Sequence, residues 1–446
     1  MNATRLPLLM VAYQCGPGLG SVSQIGWEWF AGMAARCDVT LVTHIRNRDA
    51  IEQAPDRPAG AQVIYIDTEW FAGPVYRLAR RLFPRSDHAV FMLSQADYFV
   101  FDAGVVRQLR HRRRDAGGTL PWRLVHMVTP VTTAAATRLP RLGLPVVRGP
   151  LNCGLAVPDG FADVMRTDAM GVASLRVLPR MLDALLGSLR DTRAVLVATE
   201  ATLQAVPPAV RPRCVRMIEN AVDPVRFAPA DALPPPGPGR PLRVSFVGRL
   251  VPFKALHLLI DAMARLHGEG RPVTLEVAGD GPMAEAWRAH AERLGLGGAI
   301  RWLGAVPLDR VPQVMRDSHV FCLPSVRESG GAVLLEAMAC ARPVIGVDFG
   351  GPAEVIDEAV GWKIPAVDAD TVVDGLVTAL GACWTDPDDA AARGRRGAER
   401  VRAEHTWPAR MDRALRLYES VLQPGDGRPH ASSHPRPTAA SARPAP

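Results

Sequence analysis

Short apolar runs rich in β-branched residues alternate with helix-period segments along nearly the whole 446-residue chain, and glycines stand at many of the joints. This alternation constrains the fold most, because strand, helix and strand in succession close as a parallel crossover. In the first half the strand-like runs are Leu8–Ala12, Val39–Thr43, Val63–Ile66, Leu124–Val128, Val146–Gly149, Ala194–Ala198 and Arg216–Ile218, with a helix expected over Trp27–Ala35. The pattern stops at Pro234, Pro235, Pro236, Gly237, Pro238 and Gly239, a linker by composition. It then restarts with strands at Leu242–Val247, Val273–Ala278, Ile300–Leu303, Val320–Leu323 and Pro343–Val347. Helices are expected between them over Leu256–Leu266, Met283–Leu294 and Ala332–Cys340. Ala398–Leu422 reads as largely helical with an interruption at Pro408. The expected fold class is α/β, with two Rossmann-like, doubly wound parallel-sheet domains facing a central cleft. The boundaries expected are a first domain over 1–230, a linker over 231–240, a second domain over 241–405, a final helix over 406–422 and a disordered tail over 423–446.

Several classes are set aside on composition. Hydrophobic residues make up 48% and charged residues 22%, ordinary globular usage. No apolar run reaches the 18 residues or so of a membrane span, and the apolar start runs into Cys15-Gly16-Pro17-Gly18 without a small-residue cleavage site, so it reads as a strand. Seven cysteines without a C-x-x-C point to reduced thiols in a cytoplasmic protein. The net charge of +7 lies entirely in the first half, where 28 arginines oppose 20 acids over residues 1–240. Its densest run, Arg107 to Arg114, reads as a solvated helix end or as a face for acidic lipid or an anionic substrate. Nucleic acid is not an expected partner, since no aromatic residues interleave with that run. Leu178 to Arg193 has helical Leu and Met spacing and reads as a core-packed helix or one lying on a membrane surface.

Ligands of open α/β sheets sit beyond the carboxyl ends of the strands. There the second half carries Gly248-Arg249-Leu250-Val251-Pro252-Phe253-Lys254, two cations flanking a helix entry suited to a pyrophosphate. Of 52 basic residues only Lys254 and Lys363 are lysine, so a generic surface charge explains Lys254 poorly. Ala278-Gly279-Asp280-Gly281-Pro282 is a second turn that permits close backbone approach. The third turn leaves a strand at Glu328 and opens a helix at Ser329, Gly330 and Gly331, whose amides suit a sugar or phosphate oxygen. Glu336, eight residues on, stands in an apolar setting where an idle acid is costly, and a carboxylate there accepts both hydroxyl hydrogens of a ribose. Gly350-Gly351-Pro352-Ala353-Glu354 repeats the design. Asp368-Ala369-Asp370 precedes a helical pattern and reads as a cap, not a metal motif.

These residues together resemble the retaining glycosyltransferases of family 4, which have the GT-B fold. The resemblance rests on Gly-Arg-Leu-x-x-x-Lys (248–254), Ala-Gly-Asp-Gly-Pro (278–282), the Glu-x7-Glu pair Glu328 and Glu336, and Gly-Gly-Pro-Ala-Glu (350–354). Looser matches are Gly18-Leu19-Gly20-Ser21, His126 to Pro130, Gly149-Pro150 and Ile218 to Asp223, so that it covers about residues 5–422. The first-domain loop carries Val22 where a similar subgroup has an acid, and Ala221 stands where the family often has Gly.

The resemblance implies a nucleotide-sugar donor held mainly by the second domain, an acceptor at the first, and no bound metal or other cofactor. By it Arg249 and Lys254 bind the diphosphate, Glu336 holds the ribose, and Glu328 faces the donor sugar. Ser329, Gly330 and Gly331 contact sugar or phosphate, Gly248 and Gly279 belong to the donor loops, and Gly18 and Gly20 form the first-domain loop. It also implies that the last helix, around Trp407 to Leu422, crosses back onto the first domain. His126 is the resemblance's candidate active-site histidine, and a buried structural histidine is the other reading. The function expected is transfer of a sugar from a UDP- or GDP-sugar to a lipid-linked glycan hydroxyl in envelope or exopolysaccharide assembly, in the cytoplasm with peripheral membrane contact. The alternatives are an enzyme acting on a soluble small molecule and a non-catalytic nucleotide-sugar-binding scaffold.

Overall fold

The computed structural model describes residues 5–82, 96–155, 157–165, 183, 186–231, 233–237 and 239–423. Of the expected helix over Leu178 to Arg193, residues 178–182, 184 and 185 fall outside the described residues and 187–191 form a turn, and the expected tail falls outside from residue 424. The first sheet holds β1 (Pro7–Ala12), β2 (Asp38–His44), β3 (Gln62–Ile66), β4 (Leu124–Thr129), β5 (Val146–Leu151), β6 (Ala194–Val197) and β7 (Cys214–Arg216). They are all parallel, in the order β3-β2-β1-β4-β5-β6-β7. The second holds β8 (Leu242–Val247), β9 (Val273–Ala278), β10 (Ile300–Gly304), β11 (Val320–Leu323), β12 (Val344–Val347) and β13 (Gly361–Ile364), in the parallel order β10-β9-β8-β11-β12-β13. Helices cover both faces, so strands such as β4, β5, β11 and β12 are buried along their whole length. Strand order reverses between β1 and β4 and again between β8 and β11, and a doubly wound sheet opens a crevice at such points.

The helices of the first half are α1 (Ser21–Ala34), α2 (Arg48–Glu52), α3 (Glu69–Leu82), α4 (Asp97–Asp115) and α5 (Glu200–Ala205). Those of the second are α6 (Leu256–Gly268), α7 (Ala284–Arg293), α8 (Val311–Arg316), α9 (Ala332–Ala339), α10 (Gly351–Val355), α11 (Ala369–Thr385), α12 (Pro387–Glu404) and α13 (Trp407–Leu422). Helix α1 starts six residues before the expected Trp27. Gly26 lies in its opening turns with its Cα against the Gln14 carbonyl, where a Cβ would not fit. The interrupted helix expected over Ala398–Leu422 is instead two helices. Thr406 caps the second, its Oγ1 accepting from Ala409 N at 3.3 Å, and Pro408 sits in the first turn, where no amide donor is needed. Asp368 caps α11, accepting from Thr371 N at 2.8 Å. The Arg107 to Arg114 run lies at the end of α4 with its arginines exposed. All seven cysteines are free.

The last helix leaves the second sheet's half of the chain and packs into the core of the first. Met411, Ala414, Leu417 and Tyr418 join the cluster formed by Trp27, Trp29 and Phe30 of α1, and Met411 occupies the space beside Gly32. Arg36 Nε meets Asp412 Oδ1 at 2.7 Å at the rim.

This packing corrects the active-site reading of His126. The residue stands mid-strand in β4, paired in register with Met10, and is fully buried. Its Nε2–H donates to the Gly149 carbonyl at 2.7 Å, which leaves Nδ1 to accept from Tyr418 O–H at 2.6 Å. The Trp29 ring meets it edge-on at 4.9 Å. Burial lowers its pKa to about 4, so it is neutral in one defined tautomer with both nitrogens occupied. It is a structural histidine that joins α13 to the first sheet. Replacing Tyr418 by Phe should therefore lower the unfolding free energy by about 1–3 kcal/mol, because Nδ1 loses its buried donor. Urea denaturation checks this, and an unchanged midpoint would refute the pairing.

Candidate active site

The site grows from the β8 and β11 ends. After β8 the chain runs through Gly248 to a 3₁₀ turn, Pro252–Lys254. After β9 it turns at Gly279, whose φ is +148° and whose missing Cβ would collide with the Gly248 carbonyl. Only glycine tolerates both that angle and that approach. The two loops are then joined backbone to backbone, Leu250 N to Asp280 O and Met283 N to Leu250 O, each at 2.9 Å.

The β8 loop is also fastened to the loop after β11. Val326 N donates to the Phe253 carbonyl at 3.0 Å, and Ser325 Oγ donates to the same oxygen at 3.2 Å. This brings Lys254 opposite Glu328, and Nζ pairs with Oε2 while both side chains stay largely shielded, at 13% and 15% exposure. Arg249 stands exposed on the same loop. Beyond Glu328, Ser329 is exposed and Gly330 and Gly331 lead into α9. Gly331 supplies the left-handed turn that starts the helix, with φ +60°. The opening amides of an α-helix have no intrahelical acceptor, so this end suits an anion or a sugar oxygen.

Glu336 lies one turn into α9. Its side chain keeps some contact with solvent, yet protein encloses most of it, and this desolvation pushes its carboxyl up to about 7 against the opposing charge of Arg226. Five expected second-domain residues, Gly248, Lys254, Gly279, Glu328 and Gly330, thus share one connected set of loops. The first-domain glycines are placed differently. Gly18 and Gly20 have φ of +74° and +103° with open space around their Cα atoms, on an exposed loop after β1. That loop is tied to β4, Gln14 N donating to Thr129 Oγ1 at 3.0 Å and Thr129 Oγ1 donating to Gln14 O at 2.8 Å. None of the described hydrogen bonds joins it to the Lys254–Glu328 pair.

Two acids at this site lie in stretches that the resemblance quotes, but neither carries a role of its own in the sequence reading. Glu219, on the segment between β7 and β8, is 4% exposed and lies directly against Gly330, where a Cβ would strike its Oε1. That oxygen accepts from Asn152 Nδ2 at 2.5 Å, and Oε2 is buried without a partner among the described residues. Burial raises the Glu219 carboxyl, and the Glu328 charge adds to the shift. An acid directly after the apolar Met217-Ile218 was the available sign. A second link between the halves is Glu354 of the fourth turn. It pairs with Arg216, and its Oε1 accepts from Glu200 N at 2.7 Å at the start of α5.

Residues 235–392 match the family described as glycosyl transferases group 1. The chain is 31% identical over 242 residues to alpha-maltose-1-phosphate synthase of Mycobacterium tuberculosis (strain CDC 1551 / Oshkosh), covering 51% of this chain and 62% of that one. It is also 31% identical over 246 residues to 2-deoxystreptamine glucosyltransferase of Streptomyces kanamyceticus, covering 53% and 62%. The match thus spans about six-tenths of the length of these curated relatives. Among solved structures, sucrose-phosphate synthase of Thermosynechococcus elongatus superposes with a TM-score of 0.61 at 21% identity, over 94% of this chain and 99% of that one. HepE of Anabaena in complex with UDP gives 0.61 at 17%, over 93% and 100%. The fold is the GT-B fold of two facing Rossmann-like domains.

The raised Glu336 has a consequence for stability. An unfolded Glu titrates near about 4.3, so between there and about 7 the folded chain holds more protons than the unfolded one. Stability then falls as pH rises through that window. Glu336→Gln should match the native chain at pH 4 and exceed it by about 1–3 kcal/mol at pH 8. Chemical denaturation at the two pH values decides, and equal stability at both would mean the acid is not desolvated.

Proposed function

We propose that this chain is a retaining glycosyltransferase of family 4, with Glu328 and Glu336 as its Glu-x7-Glu pair. It transfers a sugar from a UDP- or GDP-sugar to a hydroxyl of a lipid-linked glycan during envelope or exopolysaccharide assembly. The observation that carries this reading is the shielded Lys254–Glu328 pair at the mouth of a glycine-opened helix. The group 1 match over 235–392 supports it. A UDP donor is favoured by the HepE complexes with UDP and UDP-glucose. A glycan acceptor is favoured by the 31% identity over 193 residues to the putative colanic acid biosynthesis glycosyltransferase WcaL of Escherichia coli K12, which covers 42% of this chain and 46% of that one.

In this reading Arg249 and Lys254 meet the diphosphate and offset the charge that develops as it leaves. The backbone of Ser329, Gly330 and Gly331 takes sugar or phosphate oxygens, and Glu336 accepts the ribose hydroxyls as a carboxylate. Glu328, already paired with Lys254, faces the anomeric carbon and stabilises positive charge there. The bond from that carbon to the diphosphate breaks, the acceptor oxygen bonds to the same face, and the acceptor's proton leaves with the diphosphate. The phosphate charge is assigned to Arg249, Lys254 and the helix opening rather than to a metal. Residues 1–230 carry the acceptor side, 241–405 the donor side, and 231–240 the linker between them.

The test is thermal unfolding with UDP, GDP, ADP and their sugars, on the native chain and on Lys254→Ala. A nucleotide at 100 times its dissociation constant should stabilise the native chain by about 2.7 kcal/mol, and Lys254→Ala should lose most of that. No stabilisation by any nucleotide would remove the donor site from this reading. Transfer by Glu328→Gln at the native rate would remove Glu328 from its role.

A further inference from the structure

Helix α3 is built the wrong way round for a helix of a globular domain. Trp70, Pro74, Leu78 and Leu82 recur every fourth residue and so form one ridge along it. That ridge faces solvent: Trp70 is 72% exposed, Leu78 57% and Leu82 61%. The only buried residues of α3 are Ala72 and Ala79, on another side. Four of the nine large apolar residues that stand exposed in the described chain lie on this one helix, Tyr76 being the fourth. Isolated exposed apolar residues are ordinary, but a continuous ridge marks a surface that something covers.

Charge says what covers it. Arg77 and Arg81 are exposed on the edge of the same ridge, and no acid follows Glu69 in the helix. Helix α4 packs against α3 and ends in the exposed arginines 107, 110, 112 and 114. A protein partner would have to bring a matching apolar groove and several acids. An anionic lipid surface offers both: acyl chains for Trp70, Leu78 and Leu82, and headgroups for the arginines. Tryptophan also favours the boundary between hydrocarbon and water. Among the described residues no helix is long and apolar enough to cross a membrane, so the contact is one of lying on the surface.

The opposite side of α3 is fixed to the sheet. Glu69 pairs with Arg46, which also meets Asp97 at 3.2 Å, and Asp97 accepts from the Tyr13 hydroxyl at 2.8 Å. A cavity of about 350 Å³ opens there, lined by Arg46, Glu69, Ala72, Gly73, Val75 and Tyr76. It lies between the turn that follows β2 and the helix.

We infer that α3 docks the first domain onto an anionic bilayer through the Trp70, Leu78 and Leu82 ridge and its flanking arginines. This deepens the lipid-linked acceptor reading and can be tested without any sugar transfer. The experiment is vesicle flotation of the full chain, with phosphatidylcholine alone and with about 30% phosphatidylglycerol added. The native chain should float with the anionic vesicles at low salt and much less at high salt. A Trp70→Ser, Leu78→Ser, Leu82→Ser variant should bind them roughly tenfold less tightly, since it loses the buried apolar area. Arg77→Glu with Arg81→Glu should lose the preference for anionic lipid. These positions are exposed, and unchanged circular dichroism and nucleotide stabilisation will show that fold and donor site are intact. A native chain that binds no vesicles, or a triple variant that binds as well, overturns the inference. So does sedimentation showing a native dimer that the triple variant dissolves, since a second copy would then be the occupant. Loss of nucleotide stabilisation in the native chain would sink the donor reading and leave this one standing.

Discussion

The arrangement of the cleft depends on one contact, the seating of Gly330 on Glu219. Glycine at 330 leaves the gap that the carboxyl fills, so the loop that opens α9 rests on a residue of the segment that follows β7. The seat is itself held firmly. Arg410 of α13 donates to the carbonyls of Ile218 and Asn220, on either side of Glu219. The backbone of Val222 exchanges hydrogen bonds with His405 and Trp407 at the entry to α13. A helix near the end of the described chain thereby fixes the acid, and the loop that the acid meets lies more than a hundred residues after it in the sequence. The acid favours its proton for two physical reasons. It is buried with one oxygen unpartnered among the described residues, and the Glu328 carboxylate is close enough to oppose a second negative charge. Arg410 counters this only in part, because it too is buried and its own charge is depressed, its pKa lowered to about 10.

The strands and the second-domain loops were legible in the sequence because both rest on local rules. A buried parallel strand must be a short apolar run, and a βα turn pressed against another backbone must be glycine. Hence β8 to β12 stand where the pattern put them, and Gly279 is pressed against the Gly248 carbonyl. What was hidden depends on contacts between distant segments. Glu219 and Asn152 lie 67 residues apart and meet only because β5 and the β7 exit end at the same rim. The strand β13, Gly361-Trp362-Lys363-Ile364, is not a continuous apolar run, and the sequence showed only the cap of α11 at Asp368 and the end of α12 from Ala398. His126 misled for the opposite reason. Its neighbourhood has the residue types of a site, but a mid-strand position directs it into the core, where Tyr418 arrives from a helix that the local sequence cannot see.

The scarcity of lysine acquires a physical sense in the structure. Both lysines sit at carboxylates near strand ends of the second sheet. Lys254 pairs with Glu328, and Lys363 meets Asp348 at 3.4 Å beside the turn after β12. Arginine serves the buried, multiply bonded positions, as at Arg148, which donates to Asp183, Ser188 and three carbonyls, and at Arg410. Its planar fork suits several fixed acceptors at once, whereas the ammonium is a compact point charge on a flexible stem. At residue 254 the cation sits in a shielded space against one carboxylate, and in the proposed function it also turns toward an incoming anion. A compact ammonium on a flexible stem suits both demands.

Helices α1 and α3 show how little composition alone says about where a helix faces. Each has 14 residues, belongs to the first sheet and carries aromatic residues. The first sends Trp27, Trp29, Phe30 and Met33 inward, where α13 and β4 complete their packing. The second buries only two alanines and holds its ridge outward. The difference lies in the neighbours available. The α1 face has a strand beneath it and a returning helix above it, so large side chains gain burial on both sides. On α3 the small alanines allow close approach to the sheet, and the large residues point away from every described element. A lipid surface is the setting in which that division of small and large residues is stabilising rather than costly. It would leave the cleft-facing loops of the second domain free to take a soluble donor while the first domain stays at the bilayer.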